Sequence, residues 1–113
     1  DIKDKLEILF KTSLNISGIF VTTSKVYKVA EFIKNKNLKN IKLIGYDLLD
    51  KNINYLNDEI INFLIHQNPK KQVYLALSYL VEYFLFDKEI PKKSLLPIDI
   101  ITTENLETYS HML

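Results

Sequence analysis

The segment IKLIGYD, residues 41–47, is a short apolar run that ends in glycine, tyrosine and a carboxylate. An apolar run of this length, bounded by turn residues, predicts a β-strand that is buried on both faces of a sheet. Asp47 then lies at the point where this strand leaves the sheet. Two other segments repeat the arrangement, so the ends of the predicted strands are where we expect a functional site.

Helices and strands alternate on both sides of this segment. Strands separated by helices of this length predict right-handed βαβ units and a parallel sheet. The predicted fold class is therefore α/β, with a parallel sheet and alternating helices. Hydrophobic spacing predicts helices at 2–10, 25–37, 50–60 and 69–87, strands at 19–21, 41–47, 61–67 and 95–103, and a short terminal helix from Thr103 or Glu104.

Polar residues in front of three helices predict where those helices begin. Ser24 and Asp50 belong to the residue types that cap helix N-termini with a side-chain oxygen. Asn68 followed by Pro69 is a stronger signal, because asparagine accepts hydrogen bonds from the free amides and proline suits the first turn. Pro97 cannot donate a sheet hydrogen bond, so the last strand is expected to lie at an edge or to begin late.

The composition excludes several classes of function. The 113 residues suffice for one domain, and 15 basic residues, all lysine, against 14 acidic ones leave no basic surface typical of nucleic-acid binding. The absence of cysteine excludes disulfides and thiolate metal sites. No apolar run is long enough for a membrane span, and the first residues lack a signal-peptide pattern, so we expect an intracellular protein with no membrane partner. The chain does not begin with methionine, which indicates a fragment.

No catalytic motif is recognisable in the sequence. It contains no nucleophile elbow, no HExxH, no Walker loop and no GxGxxG, and its only glycines are Gly18 and Gly45. We therefore predict no enzymatic activity, no catalytic residue, no metal site and no cofactor.

Polar side chains follow each of the first three predicted strands. In open parallel sheets, ligands bind beyond the carboxyl ends of the strands, where helix amides also point. Hydroxyl, carboxylate and amide groups can share hydrogen bonds with the vicinal hydroxyls of a sugar, whereas a phosphate would favour a glycine loop or arginines, and neither is present. The residues at these strand ends are Thr22, Thr23, Ser24, Asp47, His66 and Gln67.

Each of these residues also has a structural interpretation. Ser24 fits a helix cap, and Asp47 could cap the turn that follows it. Gln67 could satisfy backbone groups at the strand end, and a lone histidine such as His66 is more often structural than catalytic. His111 is expected to be solvated, and the tyrosines expected to be core or interface aromatics are Tyr46, Tyr74, Tyr79 and Tyr83.

Four segments resemble, in this order, the closing part of the type I periplasmic-binding-protein fold. They are GIFVTTSKVYKVAEFI, IKLIGYDLLDKNINYL, INFLIHQNPKKQVYLALSYLVEYFL and LLPIDIITTENLETY. The resemblance is strongest to the sugar-sensing domain of LacI/GalR-type transcription regulators and covers almost the whole chain from residue 18. It implies a partial periplasmic-binding-protein-like, Rossmann-like lobe.

The resemblance implies a ligand-binding role for three residues. Asp47 and Gln67 match cleft residues that bind ligand hydroxyls, and Thr23 stands where the family usually carries asparagine. The implied ligand is a sugar or a sugar-like effector.

The resemblance also implies a domain organisation and a set of partners. Residues 1–67 would belong mostly to the C-terminal lobe, 68–94 to a helix of the other lobe, and 95–113 to the return strand and tail. DNA would be contacted only through an N-terminal helix-turn-helix that this chain lacks. A homodimer in the cytoplasm is expected, in which a ligand touching both lobes favours the closed form and changes dimer geometry.

Two other interpretations of the sequence remain open. A periplasmic sugar-binding component of a transporter or sensor would share the fold, and a small flavodoxin-like enzyme or signalling domain would also be α/β. The apolar stripe of residues 73–85 would pack on the absent lobe of a binding protein. The chain by itself is therefore expected to self-associate, with exchange of that helix between protomers as one route.

Overall fold

The computed structural model describes residues 1–13 and 15–110 of the chain, so the expected solvation of His111 concerns a residue outside the described ones. The order of helices and strands is the predicted one, and the α/β class with a mostly parallel sheet is confirmed. In chain order the elements are α1 (Ile2–Thr12), β1 (Gly18–Phe20), α2 (Val26–Asn35), β2 (Lys42–Tyr46), α3 (Asp50–Asn57), β3 (Phe63–His66), α4 (Pro69–Phe86), β4 (Asp99–Ile101) and α5 (Leu106–Ser110).

The described residues form two compact units. The first comprises Asp1–His66 and the chain from Ile100 onward, and the second comprises Gln67–Asp99. The second unit therefore contains α4 and the segment that follows it. The assignment of residues 68–94 to another lobe stays a prediction.

The sheet has the strand order β1-β2-β3-β4. β1 pairs in parallel with β2, and β2 pairs in parallel with β3. The order of the strands in the sheet is the same as their order in the sequence. Because the connections between parallel strands have the same, right-handed crossover, α2 and α3 lie on one face of the sheet. α2 packs on β2, α3 packs on β3, and α1 packs on the side of α2.

The core lies between this helical layer and the sheet. Leu43, Leu64 and Ile101 are the fully buried strand residues, and they alternate with more exposed residues along their strands. The predicted apolar stripe of α2 is confirmed, because Val26, Val29, Ala30 and Ile33 are all buried. On the opposite face of the sheet, Phe20, Phe63 and Ile100 remain exposed.

Gly45 allows α2 to approach the sheet closely. A Cβ atom built on Gly45 would lie 2.5 Å from both Cγ atoms of Val26, and closer still to its Cβ. Both residues are buried, so neither can move aside without disturbing the contact of α2 with β2. Gly18 differs, because a Cβ there would meet only the carbonyl oxygen of Lys42, at 3.6 Å.

Two of the predicted helix caps are wrong. α2 begins at Val26 with Lys25 as its N-cap, and α3 begins at Asp50 with Leu49 as its N-cap. Neither Ser24 nor Asp50 is therefore the N-cap of its helix. Asp50 lies in the first turn of α3, where a carboxylate interacts favourably with the positive end of the helix dipole.

The start of α4 agrees with the sequence in position and differs in hydrogen bonding. Asn68 is the N-cap and Pro69 follows it, but the Asn68 side chain makes no capping hydrogen bond. Its amide nitrogen instead donates to the carbonyl oxygen of Pro97 at 2.9 Å and to Asp99 Oδ2 at 3.3 Å. Asn68 thereby ties the beginning of the second unit to its end.

The last strand begins late, as Pro97 predicts. β4 starts at Asp99, two residues after this proline, and it is the last strand in the order of the sheet. Both expectations for this strand are therefore confirmed. No helix in the described part of the chain is both long and apolar enough to cross a membrane.

α4 is apolar and has no buried residue. The predicted stripe is exposed to a large extent, with Val73 at 59% and Phe84 at 74% of their maximal exposure. A helix of 18 residues with this composition needs a surface to pack on, because exposed apolar area costs about 25 cal/mol per Å².

Candidate ligand-binding site

The loops that follow β1 and β2 form the candidate site, and we call residues 21–25 and 47–49 the strand-end loops. They leave neighbouring parallel strands, paired through Phe20 with Ile44, so they emerge at the same edge of the sheet. The β1–β2 pairing continues for one more residue, because the Val21 amide donates to the Ile44 carbonyl at 2.9 Å. The two loops therefore start side by side.

Asp47 has a backbone that is held on both sides. Its amide donates to the carbonyl of Ile65 at 2.9 Å, and its own carbonyl accepts a hydrogen bond from Asn52 Nδ2 at 3.0 Å. Its φ of 74° is left-handed, a conformation that aspartate adopts more readily than most residues. Unusual backbone geometry that is fixed by surrounding contacts is concentrated at functional sites.

Thr23 lies in the loop after β1 and is exposed. Its Oγ1 accepts a hydrogen bond from the Lys25 amide at 3.2 Å, which forms a local turn before α2. A hydroxyl used in this way still has a proton to donate to a ligand. Thr23 and Asp47 thus offer a hydroxyl and a carboxylate on adjacent loops.

The rings of Phe20 and Tyr46 border the strand-end loops. Their centroids are 5.8 Å apart, and Phe20 is 53% exposed while Tyr46 is half-buried. Small-molecule sites commonly combine such apolar surface with a few polar groups that fix the ligand. The arrangement suits a ligand with both an apolar face and hydroxyl groups.

Asn52 connects the two loops, although the pattern of polar residues at strand ends does not predict it. Its side chain is fully buried on α3. Nδ2 donates to the carbonyl oxygens of Ser24, Tyr46 and Asp47 at 3.0–3.1 Å, and Oδ1 accepts from the Tyr27 amide at 3.1 Å. One signal was present in the sequence, since Asn52 precedes Leu56 by four residues and so shares its inward face.

Gln67 and His66 are placed differently from the other two candidates. His66 ends β3, is buried, and meets the Tyr109 ring edge-on with centroids 5.8 Å apart, which agrees with its structural interpretation. Gln67 is the first residue of the second unit, where its carbonyl accepts a hydrogen bond from Gln72 Nε2 at 2.6 Å. A ligand-binding role for Gln67 stays a prediction.

The second unit has a groove of its own, with a volume of about 470 Å³. It lies between α4 and residues 91–98, and it contains neither Thr23 nor Asp47. Its walls are mainly apolar and include Leu75, Ala76 and Leu96. Within the described residues, no group of three potential metal ligands occurs in either unit.

A parallel sheet with polar residues on its strand-end loops is the arrangement with which open α/β domains bind small molecules at the carboxyl edge of the sheet. The family model described as a periplasmic binding protein domain matches residues 1–88. The chain belongs to this family. No curated protein shows significant sequence similarity to it.

Solved structures of similar fold include regulators and transport proteins. A candidate LacI transcriptional regulator from Bacteroides fragilis is 30% identical, with a TM-score of 0.87 over 96% of this chain and 38% of that chain. A periplasmic solute-binding protein of an ABC transporter from Actinobacillus succinogenes, with bound D-allose, is 23% identical, with a TM-score of 0.84 over 95% of this chain and 38% of that chain. The myo-inositol binding protein of Caulobacter, bound to myo-inositol, is 18% identical, with a TM-score of 0.80 over 98% and 38%. The chain therefore spans 38% of the length of each of these structures.

Proposed function

We propose that this chain is the effector-binding portion of a LacI-type transcription regulator that senses a sugar or a related small molecule. The observation that supports the sugar-binding part is Asp47, which follows β2 on a backbone fixed by two hydrogen bonds, while Thr23 lies in the loop after the neighbouring strand β1. The regulatory part is supported by the 30% identity to the candidate regulator, since the ABC-transporter binding protein and the myo-inositol binding protein described above are less similar.

The proposed mechanism is a shift between open and closed forms. The Asp47 carboxylate would accept a hydrogen bond from a ligand hydroxyl, and the Thr23 hydroxyl would donate one to a ligand oxygen. Gln67 is proposed separately to bind a further hydroxyl. A ligand that also contacts a second lobe binds the closed form more tightly, and this difference in affinity sets the size of the shift. In a cytoplasmic homodimer the shift would change the spacing of DNA-binding domains outside this chain, and no chemical turnover is involved.

A second candidate is a periplasmic sugar-binding component of a transporter or sensor. It is favoured by the similarity to the ABC-transporter solute-binding protein described above, whose structure contains D-allose. The sequence that precedes Asp1 in the gene separates the two candidates. A helix-turn-helix there supports the regulator, and a signal peptide supports the transport protein.

The intact protein, meaning this chain with any sequence that precedes or follows it, is expected to bind a sugar. Isothermal titration with D-allose, D-arabinose, myo-inositol and common disaccharides is the measurement, because at least one should present hydroxyls that match Asp47. Gel-shift assays with operator DNA test the regulatory part in parallel. The proposal would be contradicted if the intact protein bound no sugar, no polyol and no operator DNA.

The 113-residue chain alone is expected to self-associate through α4, whose apolar side chains are exposed. Light scattering of the chain at high concentration should report dimers or larger species. Leu77 and Phe84 lie on one side of this helix, so replacing both with glutamate should reduce the association. Replacing Lys70 and Lys71 with glutamine lowers the net charge by the same two units and is the matched control for charge. A monodisperse monomer for the unmodified chain would rule the prediction out.

A further inference from the structure

We infer that Asn52 is a positioning residue for sugar binding, an inference that rests on the proposed function. Its side chain is fully buried and makes four hydrogen bonds, all to backbone atoms. These atoms belong to the two segments that carry Thr23 and Asp47. Asn52 would touch no ligand itself and would act through the two loops.

The first part of the argument concerns the loop after β1. α2 has Lys25 as its N-cap, with no side-chain capping bond, so the early amides of the helix need another acceptor. Tyr27 is the second residue of α2, and its amide donates to Asn52 Oδ1 at 3.1 Å. Asn52 therefore performs across the fold the task that a capping side chain performs locally, which explains why Ser24 is not needed as a cap.

The second part concerns the end of β2. The Asn52 amide group donates to the carbonyls of Tyr46 and Asp47 at 3.1 and 3.0 Å, and also to that of Ser24 at 3.0 Å. The two hydrogens of this planar group are thus shared among three carbonyls, one in the loop after β1 and two at the end of β2 and the start of its loop. The left-handed backbone of Asp47, with a φ of 74°, depends on such external contacts to persist.

The third part is the cost of losing the group. Among the described residues, every buried side-chain nitrogen or oxygen of a residue that is not exposed has a hydrogen-bond partner. Removing the Asn52 side chain would leave one amide and three carbonyls to find new partners, and the two loops are the parts able to move. We therefore expect their geometry to loosen before the core does.

The test compares Asn52→Ala and the milder Asn52→Ser with Asn62→Ala in the intact protein. Asn62 is the control, because its Oδ1 also accepts a hydrogen bond from a backbone amide, that of Leu43 at 2.9 Å. Leu43 lies near the start of β2, at the end of the strand away from Asp47. Hydrogen exchange of peptides covering residues 22–28 and 45–50 reports on the loops. Isothermal titration with the sugars named above reports on binding, and thermal unfolding reports on stability.

In both Asn52 variants, we expect exchange in the two segments to accelerate at least tenfold and sugar affinity to fall at least tenfold. The Asn62→Ala variant should lose stability while its affinity stays within twofold of the unmodified protein. The inference would be overturned if the exchange rates of the two segments, or the sugar affinity, changed no more in the Asn52 variants than in the Asn62→Ala variant. If the unmodified protein binds no sugar, the proposed function fails and exchange alone decides: acceleration supports positioning of the loops by Asn52, and exchange equal to the control overturns it.

Discussion

Replacing Asp47 with asparagine is expected to lower the sugar affinity of the intact protein by roughly 10- to 150-fold. A hydrogen bond to a charged group contributes about 1.5–3 kcal/mol, and each 1.4 kcal/mol corresponds to about tenfold in affinity. Asparagine is the appropriate replacement, because it has nearly the same shape and tolerates the left-handed φ of 74° at this position. The loss should therefore come from the carboxylate and not from a change of backbone. Isothermal titration measures it.

The Asp50→Asn variant is the matched control for this experiment. Asp50 is an exposed carboxylate in the first turn of α3, three residues further along the chain. Its loss should cost about 0.3–1 kcal/mol of stability through the helix dipole and leave the affinity unchanged. Equal affinities for the Asp47→Asn variant and the unmodified protein would show that the Asp47 carboxylate does not bind the sugar.

The Gly45→Ala substitution is expected to reduce the free energy of unfolding by about 3 kcal/mol, the upper end of the range for overpacked cores. The added methyl group would overlap the side chain of Val26, and both residues lie in the buried contact of α2 with β2. Because the overlap includes Val26 Cβ, trimming that residue to alanine should not restore stability. Urea unfolding monitored by circular dichroism measures the change.

Gly18→Ala provides the matched control, since it adds the same methyl group to a glycine of the neighbouring strand. The nearest atom would be the Lys42 carbonyl oxygen at 3.6 Å, an ordinary contact, and the φ of Gly18 is not positive. Alanine there should be neutral or stabilising by up to about 1 kcal/mol. Similar losses at both glycines would show that the close approach of α2 is not what Gly45 provides.

Much of the fold follows from local patterns in the sequence. The spacing of Val26, Val29 and Ile33 predicts the buried face of α2, and the structure buries all three. Pro97 predicts the late start of the edge strand β4, because a proline nitrogen cannot join a sheet. These predictions succeed because each depends on a residue and its near neighbours in the chain.

The predictions that fail depend on partners distant in the chain. Ser24 is a good capping residue in isolation, yet the amide of Tyr27 is bound by Asn52, 25 residues away. Asn68 begins α4 as expected, but its side chain donates to Pro97 and Asp99. Polar residues with several possible partners cannot be assigned one until the fold brings the partners together.

Part of the candidate site could be predicted from the sequence and part could not. The carboxyl ends of β1 and β2 could be located from the sequence, because the general geometry of parallel sheets places ligands there. Thr23 and Asp47 do lie on adjacent strand-end loops. The bridge through Asn52 could not be located in this way, since a polar residue on a helix is ordinarily expected to face solvent.

A crystal structure of the intact protein with a bound sugar tests the central claim most directly. We expect the Asp47 carboxylate oxygens to lie within about 2.5–3.0 Å of one or two sugar hydroxyl oxygens, with the Thr23 hydroxyl beside them. The groove between α4 and residues 91–98 is lined by Gln67 and by neither Thr23 nor Asp47, so a sugar held there alone would not use the strand-end loops. A sugar bound in that groove, with Asp47 beyond hydrogen-bonding distance of any ligand atom, would contradict the account.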